Sequence, residues 1–125
     1  MPDKSASPEV PPHDLQAEMG VLGSMMLSAE AIYDAREKLT ADYFYKLAHQ
    51  DIFRAILSAF DEKGTIDLIL LRDELKRQEK LEQVGGVGYL GQLMEAVPSS
   101  ANAEYYIQIV RDQGVRRQLL ETAGH

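Results

Sequence analysis

One stretch of this chain, residues 47–60, is apolar around more than half of a helical circumference. Wound at 3.6 residues per turn, it places an apolar arc of about 200° opposite a polar arc of only about 120°. The apolar arc holds Ala48, His49, Ile52, Phe53, Ala55, Ile56, Leu57, Ala59 and Phe60. A surface helix needs little more than about 100° of apolar stripe, so this helix should be covered from at least two sides. The stretch predicts the central helix of an all-α domain, ended at Gly64 by a left-handed residue.

The composition is that of an acidic single domain, with 45% hydrophobic and 26% charged residues. Thirteen Lys and Arg against twenty Asp and Glu give a net charge of -7, which argues against a module whose main role is to bind nucleic acid. Cysteine is absent, so disulfides and thiol catalysis are excluded. The sequence has no membrane-spanning apolar run and no signal peptide, so we expect a soluble, cytoplasmic chain with no membrane partner.

The chain divides into three predicted segments. Residues 1–13 carry four of the five prolines and few large apolar side chains, which predicts a disordered tail. Residues 14–98 predict a helical globular subdomain, a small orthogonal bundle of about six helices. Residues 99–125 predict one long helix, capped by Ser99 or Ser100. Because its late apolar seam calls for a second helix that the chain does not supply, we expect a piece of a longer protein.

Local signals mark helix ends and close contacts inside the predicted globule. Asp14 and Asp67 each precede an apolar helical pattern and are predicted N-caps. Gly20 and Gly23 lie within the first helix at a cost of about 1 kcal/mol each, which indicates close approach of a neighbouring helix. The helix after Asp67 is expected to expose a solvated polar face, formed by Arg72, Asp73, Glu74, Lys76 and Arg77.

Two loops invite a ligand-binding interpretation that the sequence does not favour. Residues 43–45, Tyr-Phe-Tyr, could stack nucleic-acid bases, but no basic groove flanks them, and a core plug is the better interpretation. Residues 85–88, Gly-Gly-Val-Gly, lack the lysine and the preceding strand of a phosphate loop. They predict a tight corner between helices.

Glu18 and His49 are polar residues on apolar helix faces. Burying a charge without hydrogen bonds is costly, so Glu18 should cap another helix, pair with a base or reach water at the edge. A lone histidine on an apolar face is usually a hydrogen-bonded core residue. We therefore interpret both as buried structural polar residues. They are also the only candidates for catalysis, and His13 and His125 offer no plausible second metal ligand.

The last helix has an apolar pattern that changes along its length. In its first half, Tyr105 and Ile109 face away from Ala103, Ile107 and Val110, which predicts burial on two sides. Beyond Gly114 the pattern narrows, and the helix is expected to leave the globule. We predict a self-association seam formed by Tyr105, Ile109, Val115, Arg116, Leu119, Leu120 and Ala123.

The order and spacing of these features along residues 11–120 resemble the N-terminal domain of the bacterial replicative DNA helicase, the DnaB-type hexamer. The first matching residues are Ala17, Glu18, Val21, Leu22, Gly23, Phe44, Tyr45, His49, Ile52, Phe53, Ile66 and Asp67. The others are Gly85, Gly86, Tyr89, Leu90, Leu93, Val97, Pro98, Ser99, Asn102, Tyr105, Ile109, Val110, Arg111, Arg117 and Leu119. The resemblance implies a helical globule followed by a hairpin, of which this chain carries only the first helix.

The resemblance also implies a function. Hairpins pair into dimers, three dimers form the collar of the hexamer, and the collar docks primase. The motor, with its ATP and Mg, belongs to a separate C-terminal domain, so we expect no cofactor, no catalysis and only indirect contact with DNA from this chain. The alternative is a helical DNA-binding module that touches the strand through Arg111, Arg116 and Arg117.

Overall fold

The computed structural model describes residues 10–123, with side chains described as far as residue 122. Within these residues all regular elements are helical and none is a strand, which confirms the all-α prediction. The elements are α1 (Leu15–Leu27), α2 (Ala29–Lys38), a 3-10 turn (Ala41–Tyr43), α3 (Leu47–Lys63), α4 (Leu68–Arg77), α5 (Gly86–Met94) and α6 (Ala103–Ala123). Most of the predicted tail, residues 1–9, lies outside the described residues, as does His125.

The prediction that α3 is the central helix is wrong, because α1 packs against four helices, α2, α3, α5 and α6, and is the more central element. α3 is nevertheless covered from more than one side, as its wide apolar arc predicts. It packs against α1, α4 and the 3-10 turn. Its buried residues are His49, Ile52, Phe53, Ala55, Ile56, Ala59 and Phe60. Leu57 is half-buried, and Leu47 at the start of the helix is exposed. The helix ends at Gly64, whose φ of 75° is the predicted left-handed conformation.

Both predicted aspartate caps are present. The Asp14 side chain accepts a hydrogen bond from the Ala17 N–H at 3.0 Å, and Asp67 accepts one from the Leu70 N–H at 2.8 Å. Each cap satisfies one of the N–H groups that the first turn of a helix leaves free, and such caps contribute about 0.5–2 kcal/mol. The starts of α1 and α4 are therefore fixed by residues that adjoin them in sequence.

Two glycines bring the backbone of α1 against two other helices. A methyl group added at Gly20 would lie 2.7 Å from the ring of Tyr106 on α6. One added at Gly23 would overlap the carbonyl oxygen of Leu93 on α5. The close approach that these glycines predict is therefore confirmed on both sides of α1.

The start of α6 differs from the prediction. The helix begins at Ala103, three or four residues after the serines expected to cap it. Ser99 Oγ instead accepts a hydrogen bond from the Ala101 N–H, within the turn that precedes the helix. A serine that caps a turn has the same local sequence signature as one that caps a helix, because the same bond serves both.

The aromatic triplet fills the core with only one of its rings. Phe44 is fully buried and its ring centroid lies 5.0 Å from that of Phe53. Tyr43 is half-buried, and Tyr45 is exposed beside the chain that leads into α1. The predicted plug is therefore wrong for Tyr45.

We expect Gly23→Ala to lower the free energy of unfolding by about 2 kcal/mol, because overlap with a backbone carbonyl outweighs the gain of about 1 kcal/mol in helix propensity. Gly91→Ala is the matched control, since an added methyl at Gly91 on α5 meets no atom within 4 Å. That variant should be more stable by up to about 1 kcal/mol. Urea unfolding measures both changes. If both variants gained the same free energy of unfolding, the contact between α1 and α5 would be contradicted.

Candidate functional site

The carboxylate of Glu18 on α1 caps the N-terminus of a different helix, α3. It accepts hydrogen bonds from the Tyr45 N–H at 2.7 Å and from the Lys46 N–H at 3.4 Å. Lys46 immediately precedes α3 and supplies no side-chain cap of its own. A negative charge at this position also interacts favourably with the helix dipole. The cap of α3 therefore comes from a distant part of the sequence, since Glu18 lies 27 positions before Tyr45 and 28 before Lys46.

His49 joins the Glu18 carboxylate to α5. Its Nδ1 lies 2.7 Å from Glu18 Oε1, and its Nε2 lies 2.6 Å from the hydroxyl oxygen of Tyr89. A carboxylate only accepts hydrogen bonds, so Nδ1 donates, and in a neutral ring Nε2 accepts from the hydroxyl. Glu18 and His49 are 2% and 0% exposed. Both side chains are therefore enclosed in the core, where their hydrogen bonds join α1, α3 and α5.

Glu74 on α4 forms a second buried polar cluster. The helical pattern predicts a solvated position, and this prediction is wrong, because Glu74 is only 5% exposed. Its carboxylate accepts hydrogen bonds from Ser58 at 3.2 Å and from Arg77 and Gln78. Burial raises the pKa of Glu74, but these hydrogen bonds and the charge of Arg77 lower it by more, so the pKa lies below its usual value. The sequence did carry a signal, because Glu74 lies three positions after Leu71 and therefore about 60° from it on the helix, at the edge of the apolar stripe.

One side of α6 carries a row of residues that this chain leaves largely uncovered. We call it the outer face of α6, and it consists of Tyr105, Ile109, Asp112, Arg116, Leu119 and Leu120. These positions fall within an arc of roughly 100° on a helical wheel. Tyr105, Leu119 and Leu120 are 67%, 64% and 58% exposed, and Ile109 is half-buried. The opposite side is buried, so the prediction that the first half of α6 is covered on two sides is wrong here.

Two residues of the predicted seam are not part of the outer face. Val115 is half-buried and lies roughly 40° beyond the edge of its arc. The side chain of Ala123 lies outside the described residues. The helix also stays in contact with the globule after Gly114, contrary to the prediction, because Arg117 donates hydrogen bonds to the carbonyls of Pro12 and Tyr43.

Two of the three late arginines bind backbone carbonyls. Arg111 donates to the carbonyl that ends α2 at 2.6 Å. Arg117 donates to the Pro12 carbonyl at 2.9 Å and to the Tyr43 carbonyl at 2.7 Å. Arg116 is exposed on the outer face of α6. Binding of a phosphate by all three arginines would break these hydrogen bonds, which weighs against the DNA-binding alternative.

Two other kinds of site are absent from the part of the chain that the structure describes. These residues contain no group of three or more His, Asp or Glu placed to hold a metal ion. No helix among them has both the length and the apolar character needed to cross a membrane. The outer face of α6, where Tyr105, Leu119 and Leu120 are each more than half exposed, is the candidate surface for a partner.

Comparison with known proteins gives a consistent family match. A family model described as the DnaB-like helicase N terminal domain matches residues 10–112. The replicative DNA helicase DnaB of Geobacillus stearothermophilus is 44% identical over 117 residues, which cover 94% of this chain and 26% of that protein. The protein of the same name from Treponema pallidum is 43% identical over 122 residues, or 98% and 28% of the two chains. This chain therefore spans roughly a quarter of the length of the curated relatives it matches.

A solved structure matches the fold as well. It is the crystal structure of the N-terminal domain of DnaB helicase from Mycobacterium tuberculosis, with a TM-score of 0.89 and 41% sequence identity. The match covers 92% of this chain and 80% of that chain. The resemblance inferred from the spacing of residues is confirmed by the sequence matches and by this structure.

We expect His49→Ala to lower the free energy of unfolding by about 2–4 kcal/mol, since it opens a cavity and removes a donor from the buried Glu18 carboxylate. Tyr89→Phe deletes only the hydroxyl that His49 bonds and should cost about 1–2 kcal/mol. Tyr105→Phe is the matched control, because Tyr105 is 67% exposed, and it should change stability by less than about 0.5 kcal/mol. Denaturant unfolding of the three variants tests the network. A neutral His49→Ala would refute it.

The lowered pKa of Glu74 predicts a dependence of stability on pH. The Glu74 carboxylate is preferred in the folded state, so its contribution is present above the unfolded pKa and is lost as pH falls through the folded pKa. Glu74→Gln should therefore be less stable than the wild type at pH 7 by about 1–3 kcal/mol, with a difference that shrinks on acidification below about pH 4. Unfolding curves at several pH values measure this. Glu62→Gln, at an exposed acid, is the control. A difference independent of pH would contradict the prediction.

Proposed function

This chain belongs to the family of DnaB-like helicase N-terminal domains, and from that premise we propose that it is the assembly and protein-docking domain of a replicative DNA helicase. In this role, domains pair through the outer face of α6 and a second hairpin helix, three pairs form a collar on the hexameric ring, and the collar receives primase. ATP and Mg chemistry belongs to the remaining three quarters or so of the relatives' length. This role places the protein in the bacterial cytoplasm.

The outer face of α6 is the observation that carries this proposal. Tyr105 and Leu119 are 14 positions apart, so the exposed row extends for about 21 Å along the helix. Each large apolar side chain left in water forgoes roughly 1.5–3 kcal/mol of burial. A long, narrow row of this kind, apolar at both ends and charged in the middle at Asp112 and Arg116, suits a second helix packed alongside it better than a compact ligand.

The enclosed polar network supports a non-catalytic role. Glu18 and His49 were the candidates for catalysis. Both are buried, and their polar atoms form hydrogen bonds with backbone and side-chain partners inside the core. Arg111 and Arg117 likewise donate hydrogen bonds to backbone carbonyls. We therefore propose that contact with DNA occurs only through the assembled ring.

We expect this chain to self-associate weakly, with the monomer dominating when dilute, because so short a seam buries less than a stable interface requires. Leu119→Asp should abolish the association and leave the helical spectrum and melting temperature nearly unchanged, since Leu119 is 64% exposed. Ile69→Asp on α4, where Ile69 is 57% exposed, is the matched control and should associate like the wild type. Sedimentation over a wide concentration range measures all three.

A tight dimer that survives Leu119→Asp would place the interface on the globule and contradict the proposal. Primase titration tests the docking part separately. Primase should bind the full-length ring and bind this chain poorly, because the proposed docking surface is completed by assembly. Stoichiometric binding of primase to monomeric Leu119→Asp would show that docking does not require the collar.

A further inference from the structure

Arg117 connects two segments that are far apart in sequence. One is the N-terminal strap, residues 11–13, which runs over the globule before α1. The other is the distal half of α6, residues 115–122, which carries Arg117 itself. The guanidinium donates to the Pro12 carbonyl of the strap at 2.9 Å and to the Tyr43 carbonyl at 2.7 Å, with a longer contact of 3.4 Å to the Asp42 carbonyl.

The strap and Arg117 also share one aromatic ring. The imidazole of His13 stacks on Tyr45, with ring centroids 4.1 Å apart and planes 13° from parallel. The Arg117 guanidinium carbon lies 5.6 Å from the centroid of the same ring. Stacking and cation–π contacts of this kind each contribute to holding an exposed segment. Tyr45 is therefore a common platform for the strap and for α6.

The distal half of α6 has little else to hold it. Its side chains are mostly exposed, namely Arg116, Gln118, Leu119, Leu120, Glu121 and Thr122. Val115 is half-buried, and Gln118 makes one long hydrogen bond of 3.5 Å to Asp42. The apolar burial that anchors the first half of α6 ends near Gly114. A helix end with few buried apolar contacts opens locally at low free energy, so the contacts of Arg117 decide its position.

We propose that Arg117 is a clasp that makes the N-terminal strap and the distal half of α6 detach from the globule and return to it as one unit. The planar guanidinium suits this task because it donates to carbonyls on two elements at once, whereas a lysine is a point charge. Leu119 and Leu120 lie on the distal half. If the proposed assembly role holds, the clasp regulates how this chain presents its outer face, and the strap takes part in that regulation.

The test compares hydrogen exchange in the wild type, Arg117→Gln, Arg117→Lys and His13→Ala by mass spectrometry at a concentration where the chain is monomeric. Arg72→Gln is the charge-matched control, since Arg72 on α4 pairs only with its neighbour Asp73 among the described contacts. A ring-to-ring NOE between His13 and Tyr45 reports on the strap. Exchange in α3 checks that each variant remains folded.

We expect Arg117→Gln to accelerate exchange in residues 115–122 at least about tenfold and to abolish the His13–Tyr45 NOE, because the variant loses two charge-assisted hydrogen bonds and one alone is worth about that factor. Arg117→Lys should fall between it and the wild type. His13→Ala leaves Arg117 intact yet should accelerate exchange in residues 115–122 a few-fold. Arg72→Gln should change neither readout.

The decisive observation is whether a substitution in one segment changes the readout of the other, the strap or the distal half of α6. If His13→Ala leaves exchange in residues 115–122 unchanged, or Arg117→Gln leaves the His13–Tyr45 NOE intact, the two segments are independent and the clasp is refuted. Sedimentation of the same variants then examines the regulatory consequence. A wild type that never associates would refute the assembly role while leaving the exchange result on the clasp valid.

Discussion

A carboxylate inside the core is the constraint on which the arrangement of this domain depends. Glu18 caps α3, bonds His49 and through it reaches Tyr89 on α5, so that one side chain fixes three helices. An unpaired buried charge is far more costly than an imperfect apolar contact, and apolar cores tolerate alternative packings that a hydrogen-bond network does not. The burial of α3 on several sides comes from its apolar arc, and its register against α1 and α5 comes from Glu18.

α6 is held by two different kinds of interaction along its length. Its first half is anchored by buried apolar side chains such as Ile107 and Val110. Its distal half depends on polar contacts centred on Arg117. Buried apolar contacts hold the first half in place, whereas polar contacts at a helix end open at lower free energy. This division suits the proposed assembly role, in which the globule keeps its structure while the last helix packs against other chains.

Local signals were enough to predict much of the fold. The arc of α3, the caps Asp14 and Asp67, and the stop at Gly64 each follow from neighbouring residues. On α6, helical spacing predicts the exposure of Leu119 and Leu120 but not that of Tyr105, which was expected to be covered and is 67% exposed. The partners of Glu74 and Arg117 could not be predicted in this way, because a polar residue bonded to a distant carbonyl or hydroxyl has the same local pattern as one in water. Such contacts depend on which elements meet, and no periodicity in the sequence reports that.

The contact between Gly20 on α1 and Tyr106 on α6 has a consequence for protein synthesis. The two residues are about 86 positions apart, and chains grow at roughly 5–20 residues per second, so α1 is made on the order of ten seconds before its partner. Val21, Leu22 and Met25 on α1 are fully buried in the finished domain. During translation these side chains lack part of their final cover, so the nascent chain exposes the surface that later becomes the middle of the domain.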